Sequence, residues 1–104
     1  MTRTDNLELV LNNLQSNMIR LRNEVAKRET TIFNIYYDLA VESPRKGGAT
    51  ESKIRSSLAF VNAYNASILD MERQLKSQTE LYGKLLYTYS VLMGQDLAKI
   101  FRKN

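Results

Sequence analysis

Cysteine, histidine and tryptophan are absent from this 104-residue chain. Without cysteine it holds no disulfide, no thiol nucleophile and no thiolate metal ligand. Without histidine it lacks the commonest general base, and also the Glu-x-x-His pairs used by carboxylate-bridged metal sites in helical bundles. Proline occurs once, at Pro44, and glycine four times, so little interrupts a helix. No apolar run approaches the length of a membrane span. The opening stretch MTRTDNLELVLNN has polar residues where a secretory leader needs an apolar core. These absences set the expectation of a cytoplasmic, non-enzymatic chain with no metal, cofactor or membrane span.

What is present is ordinary for a helical bundle: 43% hydrophobic and 25% charged residues, with a formal charge of +4. The positive excess is mild and both signs are interspersed, so it permits an acidic partner without requiring one. A chain of this length has room for one domain and a modest core, and residues 1–104 are read as a single helical domain.

Residues 5–43 carry the clearest pattern. Leu7, Leu11, Leu14, Met18, Leu21, Val25, Arg28, Ile32, Ile35 and Leu39 recur at alternating spacings of four and three, which is a coiled-coil seam. Asp5 followed by Glu8 fits a capping box at its start. Ile19, Ala26, Phe33 and Ala40 form a second stripe beside the seam, with Tyr36 between the two. One partner helix covers a narrow seam; a wider arc needs a second neighbour. Pro44 and the Gly47–Gly48 pair predict a turn over residues 44–50, with Thr50 or Ser52 capping the next helix.

Residues 51–102 read as helix again. Ile54, Leu58, Val61, Ile68, Leu75, Tyr82, Leu86, Tyr89, Met93 and Ile100 lie on one face, flanked by Tyr64, Met71, Leu85 and Leu92. Asn65, Glu72, Thr79 and Asp96 interrupt that face. Gly83 and Gly94 are the two places where the helix would bend or break, which leaves a three-helix version open. The expected fold is therefore all-α: a long antiparallel hairpin, coiled-coil-like, with dimerisation into a four-helix bundle covering the extra apolar surface.

With Leu39 facing Ile54, residue numbers across the pair sum to about 93. The first helix then covers the second only to Tyr87, and the remainder overhangs. Leu92, Met93, Leu97, Ile100 and Phe101 become candidate partner-binding residues, unless that segment folds back as a third helix. The same register sets Arg28 opposite Asn65, near Glu24 and Glu72. That is a polar layer able to fix register, unless Arg28 only extends its charge to the rim.

Two groups of cations suggest a rival role in nucleic-acid binding. Arg45, Lys46, Lys53 and Arg55 gather at the hairpin tip, and Lys99, Arg102 and Lys103 at the end of the chain. Solubilising charge at the ends of a bundle is the simpler explanation of both groups, and helices this long do not fit a helix-turn-helix. Arg20, Arg22 and Arg28 give a superficial likeness to the all-helical chorismate mutases. That family also needs a lysine near the end of its first helix, where this chain has Tyr37-Asp-Leu-Ala-Val-Glu42. Small secreted hairpins with a Trp-x-Gly turn are excluded by the missing tryptophan. The sequence therefore favours a protein–protein interaction module (an adaptor, chaperone, inhibitor or small regulatory subunit), with nucleic-acid binding as the alternative.

Overall fold

The computed structural model describes residues 2–102. Helix α1 is Arg3–Tyr37, α2 is the single turn Ser43–Arg45, and α3 is Glu51–Arg102. A π-helical segment, Asp38–Glu42, joins α1 to α2. No strand occurs among the described residues. Two long helices joined by a short turn make the expected helical hairpin.

The start of α1 lies earlier than the sequence pattern suggested. The Asp5 amide donates to Thr2 Oγ1 at 3.2 Å and the Thr2 amide donates to Asp5 Oδ2 at 3.1 Å. Thr2 is thus the cap and Asp5 its reciprocal partner three residues on, satisfying two amides the helix cannot. The expected Asp5–Glu8 box had Asp5 in the wrong half of the motif.

The helical backbone also runs past Pro44, where a stop at residue 43 was expected. The Ser43 amide bonds to the Asp38 carbonyl, five residues back, which widens the last turn before the proline. Pro44 then falls in the first turn of α2, where its missing N–H would have had no helical partner. The true stop is a paired glycine cap. Gly48 N–H donates to Ser43 O at 2.7 Å and Gly47 N–H donates to Pro44 O at 3.3 Å. Gly47 has φ 99° and Gly48 94°, a left-handed backbone that glycine adopts without a Cβ clash. Thr50 then caps α3, its Oγ1 accepting the Lys53 amide at 3.1 Å.

Helix α3 continues through both Gly83 and Gly94. The third helix left open above does not form.

The chain divides into two compact units, Met1–Arg20 with Gln74–Asn104, and Leu21–Arg73. In the first, Leu11 and Met18 are buried, and Leu75, Tyr82, Leu85, Tyr89 and Leu92 are half-buried on α3. Asn17 Nδ2 donates to Gln78 Oε1 at 2.7 Å across the pair, and Thr79 Oγ1 lies 3.5 Å from Met18 Sδ. In the second, Leu21, Val61 and Ile68 form the buried core, with Val25, Ile32, Ile35, Leu39, Tyr64 and Met71 half-buried around them. Leu21 at 2% exposure and Val61 at 1% are the most enclosed large side chains.

Burial along α3 corrects the expected face. Val61, Tyr64, Ile68, Met71, Leu75, Gln78, Tyr82, Leu85, Tyr89 and Leu92 are covered, and their spacing alternates three and four throughout. Asn65, Glu72 and Thr79, read above as interruptions, lie one position off this seam and are exposed. So are Leu58, Leu86 and Met93, read above as members of it.

Candidate interaction surface

Only Leu11, Met18, Leu21, Val61 and Ile68 are buried apolar side chains, while eighteen large apolar residues are exposed among the described residues. The chain presents 7852 Å² to solvent. A compact monomer of 12.0 kDa exposes about 6,000 Å², so about 1,900 Å² is in excess. On α1 the exposed set includes Ile19 and Phe33 of the second stripe read from the sequence, and Tyr36 between that stripe and the seam. Phe33 stacks on Tyr37 with ring centres 6.3 Å apart, an aromatic pair open to solvent.

The last third of α3 carries the densest apolar surface. Of the five candidate partner-binding residues, Leu92 is half-buried and Met93, Leu97, Ile100 and Phe101 are exposed, Phe101 to 73%. Leu86, Tyr87 and Val91 add to that surface. The expected overhang beginning after Tyr87 is shorter than reasoned. A cleft of about 290 Å³ lies between Thr2, Arg3 and Thr4 on one side and Leu92, Gln95, Asp96 and Lys99 on the other. The start of α1 therefore reaches Lys99. Two causes add: α1 starts at a threonine cap upstream of Asp5, and the α3 seam runs through Leu85, Tyr89 and Leu92. What remains uncovered is the outer side of the helix, together with its last turn.

The basic tip is largely neutralised within its own unit. Lys53 Nζ stands 3.0 Å from Asp38 Oδ2 and donates to Ser43 Oγ at 3.2 Å. Ser43, 4% exposed, is the one buried polar residue among those described, and this network satisfies it. The Lys53 ammonium, hydrogen-bonded to Asp38, holds that carboxyl below the ordinary aspartate value, against the opposing effect of desolvation. Arg55 pairs with Glu51 one turn earlier on α3. Arg45 and Lys46 are exposed. Between residues 38 and 55 four cations therefore face three carboxylates, Asp38, Glu42 and Glu51. In the second basic group, Lys99 lines the cleft beside Asp96, Arg102 is exposed, and Lys103 lies outside the described residues.

The polar layer around Arg28 takes a different form from the one expected. Arg28 Nη1 meets Glu24 Oε2 at 2.8 Å on its own helix, and its guanidinium sits 5.7 Å from the centre of the Tyr64 ring. The Arg28 hydrogen bond, followed by the charge of Lys27, lowers the Glu24 pKa. Asn65 and Glu72 are exposed and stand apart from this group. The polar pair that does cross the seam, Asn17 with Gln78, was missed. Gln78 was legible only to a reader holding to the three-and-four spacing and ignoring hydropathy.

Lys53, Ser43 and Asp38 touch one another. Among the described residues no three acidic side chains gather to hold a metal ion, and no helix is long and apolar enough to cross a membrane.

No family model matches the chain, and neither does any curated protein or solved structure.

Proposed function

We propose that this chain is a non-enzymatic interaction module that works by protein contact, beginning with self-association into a helical bundle. The observation that carries the reading is the imbalance between core and surface: five buried apolar residues against eighteen large exposed ones. Bringing each copy to the surface of a compact chain requires covering about 1,900 Å², within the range each partner contributes to obligate dimers. The outer side of α3 from Leu86 to Phe101 is the favoured contact, because its exposed side chains are the most apolar and contiguous in sequence.

The rival nucleic-acid reading loses support from the same contacts. Two of the four tip cations are already engaged with carboxylates, leaving a local excess too small to drive phosphate binding.

The test is size exclusion with light scattering on the wild type and on a Leu97→Asp, Phe101→Asp variant. The reading requires an oligomer that the variant reduces to monomer while keeping its helical content. An unchanged oligomeric state together with unchanged partner capture would refute it. A salt-sensitive gel shift abolished by charge reversal at Arg45 and Lys46 would install nucleic-acid binding in its place.

A further inference from the structure

The outer side of α3 carries a second seam, separate from the one facing α1. Gly83, Tyr87, Ser90, Gly94, Leu97 and Phe101 repeat at spacings of four and three, and none of them is buried. Of its large members, Tyr87 is 74% exposed, Phe101 73% and Leu97 51%. Leu86, Met93 and Ile100 border the seam and are exposed as well. Its single hydroxyl outside the tyrosine is spent internally, since Ser90 Oγ donates to Leu86 O at 2.9 Å.

The glycines on this seam have no use within their own chain. A Cβ placed on Gly83 or Gly94 would meet nothing within 4 Å, and neither has positive φ. Glycine weakens a helix interior relative to alanine. Here the fold gains neither a turn nor a close approach in return.

We propose that a second copy of the chain docks on this seam, α3 against α3 and antiparallel, in a two-fold dimer. The proposal rests on the self-association argued above and names the face and register. Antiparallel helices that interlock side chains pair the two alternating positions of one seam with each other. In the register that fills the most layers, Phe101 lies over Gly83 of the other copy, Tyr87 against Leu97, and Ser90 against Gly94. Each large side chain meets a small one or an apolar equal. The two-fold axis repeats every contact, as an isologous interface demands. The bordering residues stay apolar in that register: Leu86 faces Ile100 of the other copy, and Met93 and Val91 each face their own equivalent across the two-fold axis. The occupant is a second copy because the seam complements itself in size along its whole length. Covering this seam removes part of the surface excess of about 1,900 Å² that the chain carries over a compact monomer.

The absence of cysteine makes the register measurable. A Ser90→Cys, Gly94→Cys variant is expected to form a covalent dimer on mild oxidation. An Ala59→Cys, Ala66→Cys control, also on α3 and exposed, is expected to remain uncrosslinked. Gly83→Leu, which meets no atom of its own chain, should keep the helical spectrum and weaken dimerisation at least about tenfold by blocking Phe101. A wild-type dimer that neither crosslinks at 90 and 94 nor responds to Gly83→Leu would overturn the face while leaving self-association standing. Crosslinking of Ser90→Cys alone, as efficient as the pair, would mean parallel pairing and overturn the register. A wild type that is monomeric at every concentration would remove the reading on which both rest.

Discussion

Leu21→Ala probes the inner seam where it is tightest. Leu21 is 2% exposed and sits in the core of its unit with Val61 and Ile68. Truncation to alanine removes three carbons, about 2.4 kcal/mol in transfer free energy at about 0.8 kcal/mol per methylene. The cavity adds to that, and buried leucines cost about 2.7–5 kcal/mol in well-packed cores. A two-helix core can relax partly into the gap, so about 3 kcal/mol is the expected loss. For a domain of this size that lowers Tm by roughly 12–24 °C. Ile19→Ala, two residues away but exposed on the second stripe, is the internal control and should cost under about 1 kcal/mol. Both are read from urea and thermal unfolding followed by far-ultraviolet circular dichroism at the same protein concentration. A Leu21→Ala loss under about 1 kcal/mol, or one equal to that of Ile19→Ala, would refute the assigned seam.

Three further outcomes are expected. Gly47→Ala should destabilise by about 1 kcal/mol because its φ of 99° is strained for any side chain, whereas Gly83→Ala should stabilise the isolated hairpin by up to about 1 kcal/mol; changes of the same sign in urea melts would contradict the two glycine roles. Thr50→Ala should cost about 1 kcal/mol through the lost cap on α3, measured the same way, and Thr50→Ser should restore most of it. Asp38 titrates below its ordinary value of 3.8, so the stability it gains from Lys53 is present at neutral pH and persists down to about that value. That stability is then lost as pH falls through the depressed folded value. A carboxyl-carbon NMR titration should show this, with Lys53→Gln raising the midpoint, and an Asp38 midpoint at or above 3.8 in the wild type would count against the contact.

The first helix was legible because hydropathy and geometry agree along it. All ten of its seam positions, from Leu7 to Leu39, are buried or half-buried, including Arg28, whose charge reaches Glu24 at the rim. The second helix was not, because they disagree. Its seam passes through Gln78, which hydrogen-bonds to Asn17, while Leu58, Leu86 and Met93 lie just off the seam, exposed and apolar. Hydropathy alone slides onto those three side chains and then counts Asn65, Glu72 and Thr79 as breaks. The same slide hid the outer seam, since glycine and serine do not register as apolar. Helix ends were placed within a few residues, and each error had one local cause. Thr2 capped in place of Asp5, and a π turn carried the chain through Pro44. The tip cations were visible as a cluster, but their neutralisation depended on Asp38 and Glu51, acidic residues a charge count at the tip passes over.

The central claim is that the apolar surface left open by a five-residue core is covered by another copy of the chain. Light scattering coupled to size exclusion, run over a hundredfold range of concentration, tests it most directly. A species of about 24 kDa is expected, twice the chain mass of 12.0 kDa, and Leu97→Asp with Phe101→Asp should convert it to monomer. A species of 12.0 kDa across the whole range would contradict it.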